Sequence, residues 1–219
     1  MNKKALLAEF IGTFALVFVG VGAIASNYIN GGQTGLVGIA LAHGLTIAVM
    51  ASASMAISGG HLNPAVTIGL FCAQKIDILN AIGYIISQCL AAIAAVFLLK
   101  LCISNSALTA VQMGTPFLGD GVSVTAGLLT EIILTFFLVF VIYGTAVDKR
   151  AHKVGGLFIG LTVTLDILIG GPITGAAMNP ARYLGPALLG GGLENFWLYW
   201  IGPVSGGILA AVCYKNFLE

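Results

Sequence analysis

Two asparagines stand directly before Pro-Ala, in Asn63-Pro64-Ala65 and Asn179-Pro180-Ala181. Asn followed by Pro is a helix-start signal: the Asn side-chain oxygen caps free backbone amides, and Pro at the first helical position has no amide to satisfy. Each capping Asn then keeps its side-chain NH2 for donation into whatever lies beside it. Two such donors facing one cavity would orient a small polar molecule through its oxygen, and each helix start adds about +0.5 charge that repels cations. The carbonyls just upstream, at Gly59, Gly60, His61 and Leu62 and at Gly175, Ala176, Ala177 and Met178, would supply acceptors in line. This is binding chemistry without covalent steps. Ser, His and Asp form no catalytic motif, and no HExxH or metal-ligand cluster occurs, so the expectation is no enzyme, no cofactor and no metal.

The elements that must position these groups are membrane spans. Of the 219 residues 58% are hydrophobic and only 8% charged, with mean hydropathy +1.04, a composition outside the soluble range. A hydrocarbon core of ~30 Å needs ~20 apolar residues per crossing. Six runs of that order fall near 5–26, 34–57, 80–103, 122–147, 155–172 and 195–217, and two more, 64–73 and 180–189, are about half as long. The short ones read as re-entrant. The first run follows only two lysines and lacks a small-residue cleavage site, so it reads as a retained span rather than a signal peptide. Cys72, Cys89, Cys102 and Cys213 show no paired spacing and read as small buried hydrophobes. A net charge of +1 without a basic patch gives no sign of a nucleic-acid partner.

Seven of the nine Lys and Arg residues (Lys3, Lys4, Lys75, Lys149, Arg150, Lys153, Lys215) lie in segments that share one face if six spans alternate. Both termini are therefore expected in the cytoplasm. The halves also resemble each other: Glu9 sits in AEFIGTFALVF and Glu131 in TEIILTFFLVF, 122 residues apart, while Asn63 and Asn179 are 116 apart. Three spans per copy is odd, so the second copy, about 122–219, would enter upside down relative to the first, about 1–103. The chain reads as one channel domain, 1–219, with an extracellular loop, 104–121, between the copies. Inside a membrane the two helix starts must be covered by protein or line a wet cavity, which two starts meeting at midplane satisfy.

One Asn-Pro-Ala is a weak signal; two, each opening a half-length apolar run in matching places of SGGHLNPAVTIGL and TGAAMNPARYLGPAL, are specific. On these motifs the chain resembles the aquaporin and glycerol-facilitator family, the major intrinsic proteins, over essentially its full length. The resemblance implies an all-α hourglass channel of six transmembrane helices and two half-helices, a homotetramer with one pore per subunit. Selectivity in aquaporins, by pore diameter, lining groups and an Arg or half-helix dipoles, is a worked example of the general principle. The resemblance also implies a filter of His43, Ile167, Ala176 and Arg182, Arg182 marking the narrow extracellular constriction. Arg182 lies in the first turn of the second half-helix, where a cation opposes the helix dipole; the matching position in the first half is Val66.

The set His, Ile, Ala, Arg looks most like plant vacuolar-membrane aquaporins, as does the run DILIGGPITGAAMNPAR, 166–182. Ile167 in place of a span-5 His and the lone methyl of Ala176 widen the constriction and remove a donor. The expectation is a passive water channel that also leaks ammonia, urea, hydrogen peroxide and glycerol. Alternatives are a channel mainly for glycerol, against which Tyr183 and Tyr199-Trp200 argue, and an ion-coupled secondary transporter, which would need titrating carboxylates in the pore.

His43, titrating near pH 6.5 if unperturbed, leaves pH gating open. His61 reads as a loop residue whose carbonyl faces the pore, and His152 as part of a basic loop. Glu9 and Glu131 read as braces for the half-helix loops rather than a proton relay. Asp166 points about 100° away from Ile167 and is expected in a buried or intersubunit hydrogen bond. The pairs Gly156/Gly160 and Gly202/Gly206 have the spacing that lets membrane helices approach closely. Short termini and lean loops suggest a prokaryotic plasma (inner) membrane.

Overall fold

A computed structural model describes residues 2–151 and 154–219; His152 and Lys153 lie outside the described residues. The described chain is helical: α1 Lys3–Ile29, α2 Gly35–Ser58, α3 Pro64–Cys72, α4 Ile78–Cys102, α5 Asn105–Ala110, α6 Val124–Ile142, α7 Gly155–Thr174, α8 Pro180–Pro186 and α9 Leu198–Phe217. Polar caps start most of them. Asn2 accepts from the Lys4 amide, Asp77 from Asn80 and Ser123 from Ala126, each satisfying an orphan amide of the first turn. Both α2 and α7 end on a left-handed glycine, Gly59 (φ 90°) and Gly175 (φ 76°), the residue that adopts this turn without a Cβ clash.

Five helices, α1, α2, α4, α7 and the run Val124–Val147, are long and apolar enough to cross a membrane. The sixth expected span, α9, is less apolar because Gly202, Pro203, Gly206 and Gly207 occupy its buried face. Its 20 residues still reach ~30 Å at 1.5 Å per residue. α3 and α8, of 9 and 7 residues, cannot cross.

The halves pack in matching ways. α1 lies on α2 and α4, as α6 lies on α7 and α9; α3 docks on α9 of the other half, and α8 on α4; α2 meets α7 at the centre. Close approach there depends on glycine. A Cβ on Gly160 would sit 2.2 Å from Gly44 O, and one on Gly156 2.1 Å from Ser52 Oγ, while one on Gly206 would sit 2.2 Å from Ile132 O.

Two expectations need correction. Segment 104–121 is no open loop: it carries α5 and a short turn at Gln112–Gly114, and folds back so that Gly119 N donates to Ile173 O. The cysteines are not buried; Cys72 and Cys102 are exposed and Cys89 and Cys213 half-buried. In a chain whose outer face meets lipid, an apolar thiol gains as much from that face as from the core. Asp166 is buried as expected, and its Oδ2 has no hydrogen-bond partner among the described residues of this one chain.

Lys75 pairs with Glu219, Lys215 Nζ donates to Gln74, and an Arg150 Nη donates to Leu218 O. Lys75, Arg150 and the C-terminus thus lie at one end, which Ser87, bonded to Leu6 O near the start of α1, also marks. That end is called inner below.

Candidate functional site

The two Asn-Pro-Ala segments meet tip to tip. Asn63 Oδ1 accepts from Ala65 N (2.8 Å), and Asn179 Oδ1 from Ala181 N (3.0 Å) and Arg182 N (3.2 Å). The amide ends cross over: Asn63 Nδ2 donates to Met178 O (2.8 Å) and Asn179 Nδ2 to Leu62 O (2.9 Å). The expected free NH2 groups are therefore half engaged. Each amide holds the opposite loop with one proton and keeps the other, because a primary amide has two. The carbonyls of Leu62 and Met178 correspondingly serve the crossover.

Each loop hangs from one buried carboxylate. Glu9 Oε1 accepts from Ser58 Oγ (2.6 Å) and His61 N (2.9 Å), and Oε2 from Leu62 N (2.6 Å) and Gln88 Nε2 (2.8 Å). Glu131 Oε1 accepts from Thr174 Oγ1 (2.7 Å) and Ala177 N (2.9 Å), and Oε2 from Met178 N (2.7 Å). Tyr84 OH closes the first loop on Ser58 O and Tyr199 OH the second on Thr174 O. Leu62 and Met178 adopt φ of 51° and 50°, a left-handed conformation rare for branched or bulky residues. The carboxylates hold these turns by bonding the very amides they expose. Gln88, bonded to both Glu9 and Thr67 Oγ1, was missed in the sequence; only its place in an otherwise apolar span marks it.

A narrow passage of about 40 Å³ runs past both tips; at roughly 10–15 Å³ per water in such a measure it takes a file of about three. His43, Ile167, Ala176 and Arg182 line it, with Gly60, His61, Ala177 and Met178 from the loops. Gly59 instead faces an inner vestibule of about 530 Å³, and Gly175 an outer one of about 180 Å³. His43, Ile167 and Arg182 line both the passage and the outer vestibule, so they form the wall where one narrows into the other.

Arg182 is 5% exposed and donates from Nη1 to Gly114 O (2.8 Å), so the folded-back linker anchors it. His43 Nδ1 lies 2.8 Å from Ile39 O; a carbonyl only accepts, so Nδ1 carries the proton and Nε2 is left as an acceptor. His61 Nδ1 lies 3.1 Å from Thr67 Oγ1, whose own proton goes to Asn63 O. His61 therefore also carries its proton on Nδ1. His61 is among the residues that line both the passage and the inner vestibule, with its ring set edge-on to Tyr84 at 5.1 Å. Tyr183 lies away from the passage, fully buried, stacked on Tyr199 at 4.4 Å and bonded to Glu194 O. Asp166 is not among the lining residues.

The chain is 49% identical to aquaporin TIP4-1 of Arabidopsis thaliana, over 98% of its own length and 86% of that protein's. It is 45% identical to aquaporin TIP4-4 of Zea mays, over 97% and 86%. Its fold matches the X-ray structure of the aquaglyceroporin from Plasmodium falciparum with a TM-score of 0.87 at 25% identity, covering 100% of this chain and 97% of that one. The plant relatives carry the tonoplast designation, TIP, which points to the vacuolar membrane and overturns the plasma-membrane expectation. Span length and loop charge govern insertion and orientation and carry no address for a particular membrane. A family model for the major intrinsic proteins matches residues 1–214, and the chain belongs to that family.

Proposed function

We propose that this protein is a passive channel for water that also leaks small neutral solutes, namely ammonia, urea, hydrogen peroxide and glycerol, while excluding ions and protons. The observation that carries this reading is the passage of about 40 Å³ between two vestibules, lined by Asn63 and Asn179, each of whose amides donates to a carbonyl of the opposite loop. The remaining amide proton of each Asn donates to a passing oxygen, and two helix starts facing the same point make it unfavourable for a cation. A water held by two donors turns both its own hydrogens away from them, which interrupts a proton wire. Arg182 adds a full positive charge at the outer constriction. The relatives named aquaporins support the same reading.

In this reading His43, Ile167, Ala176 and Arg182 set selectivity, and 1–103 and 122–219 are two copies of opposite orientation in one channel domain. The assembly is a homotetramer in the bilayer with one pore per chain. Ile167 and Ala176 contribute no side-chain polar group, so the filter rests on the Nε2 acceptor of His43 and the Arg182 guanidinium. A channel mainly for glycerol is favoured only by the Plasmodium falciparum structure, described as an aquaglyceroporin, at 25% identity.

Stopped-flow light scattering on proteoliposomes tests this. Wild type passes water fast with measurable urea and glycerol flux, and His43→Phe lowers the solute fluxes. Solute flux that requires a sodium or proton gradient would overturn the channel reading; fast water flux with none of the four solutes would reduce it to a strict water channel.

A further inference from the structure

The outer filter has a counterpart at the other end of the passage. The loop hydrogen bonds pair Ser58 with Thr174, Leu62 with Met178 and Asn63 with Asn179, each partner lying 116 residues after the first. The same interval takes His43 to Ile159, Gly60 to Ala176 and Val66 to Arg182. Ile159, Gly60 and Val66 are among the residues that line both the passage and the inner vestibule, together with Ile142 and His61. Three of the four positions that match filter residues thus converge where the passage meets its inner mouth; the fourth, Ala51, which matches Ile167, lines neither.

The side chains there are complementary to those outside. At the outer end a Cβ on Gly20 would lie 2.3 Å from His43 Nε2, so only glycine leaves room for the imidazole. The residue matching Gly20, 122 residues on by the Glu9-to-Glu131 interval, is Ile142. A large polar ring beside glycine outside is replaced inside by two isoleucines, and the arginine by valine. Ile142 is 8% and Ile159 5% exposed, so both are held by packing. Immediately after Ile142 the helix widens into a five-residue turn, Tyr143–Val147, a local departure that often marks functional sites.

We propose that Val66, Ile142 and Ile159, with His61, form a second, apolar sieve that determines solute specificity in series with the outer filter; this rests on the channel reading. An apolar ring offers no replacement for hydrogen bonds lost on entering it. Water in single file keeps bonds to the molecules ahead and behind. Urea and glycerol have donors and acceptors pointing sideways as well, which go unpaired at a cost of the order of kilocalories per group. Only His61 and the backbone carbonyls of Gly60 and His61, on one side of the ring, can meet some of them. The inner ring therefore discriminates by number of hydrogen-bonding groups, and the outer filter by size and charge.

The test is the flux of water, urea and glycerol through proteoliposomes carrying Ile159→Ala, Ile159→Phe, Ile167→Ala and the double variant Ile167→Ala/Ile159→Ala. Ile159→Ala should raise urea and glycerol flux by about three- to tenfold, with water flux changed less than about twofold. Ile159→Phe should lower both solute fluxes. The double variant should exceed either single one, because two resistances in series each cap the gain from widening the other. Ile159→Val, which preserves the fold where alanine does not, should shift solute flux in the same direction as alanine. Solute fluxes at wild-type values in Ile159→Ala, or in Ile159→Val, and in Ile159→Phe, with water flux intact, would overturn the sieve and leave the channel standing. Absence of water flux in the wild type would instead overturn the channel reading itself.

Discussion

Glu9 and Glu131 show how a buried charge can be structural. Each accepts only neutral donors, among them the amides that a left-handed turn leaves without helical partners. Leaving one such amide unpaired in the core costs about 1–3 kcal/mol. Glu131→Gln retains one carbonyl oxygen and turns an NH2 against donors in place of the other oxygen, so at least one of Met178 N, Ala177 N and Thr174 Oγ1 loses its acceptor. Thermal unfolding in detergent should show a lower Tm for Glu131→Gln, and a still lower one for Glu131→Ala; an unchanged Tm would show that the carboxylate does not brace the loop.

At the scale of helices, glycine sets the distance between the halves. Gly44 and Gly160 place backbone against backbone, each Cβ position lying within 2.4 Å of the other's carbonyl oxygen, and no rotamer relieves a clash with main chain. Overpacking of an ordinary core costs about 1–3 kcal/mol; here α2 and α7 would have to separate, and with them His43 and Ile167. Gly160→Val should abolish the monodisperse species in size-exclusion chromatography. Gly22→Ala, whose new methyl meets nothing closer than Leu99 at 3.7 Å, should elute as wild type, which makes it the control.

Across the whole molecule, the inner face is tied together by the end of α9. Tyr214 stacks near Tyr143 and donates to Asp148 Oδ2, while Arg150 spans Asp148 and Leu218 O. The Arg150 side chain and backbone amide hold the Asp148 carboxyl well below the usual carboxylate range. A depressed folded pKa stabilises above the unfolded value, about 3.9, and that stabilisation is lost as pH falls through the folded value. Asp148→Asn should therefore lower Tm modestly at pH 7, since the Arg150 side chain, 66% exposed, leaves the pair open to solvent screening from that side although Asp148 itself is buried. The gap to wild type should shrink as the pH drops below about 4; a gap independent of pH would assign the effect to packing.

The spans, the two half-length helices and the polar positions that the structure brings together around their starts were legible in the sequence because each is a local property. Apolar run length decides what crosses, Asn-Pro decides where a helix starts, and a carboxylate or arginine inside an apolar run stands out against its neighbours. What the sequence by itself determined is this set of elements and their matched halves. The crossing of the Asn amides onto opposite carbonyls, the anchoring of Arg182 by Gly114 and the meeting of Ile142, Ile159 and Val66 at the inner mouth were decided only by tertiary structure. These contacts join residues up to 117 positions apart, and which atoms meet at that separation depends on how closely the glycine-lined helices approach, a distance that no local pattern encodes.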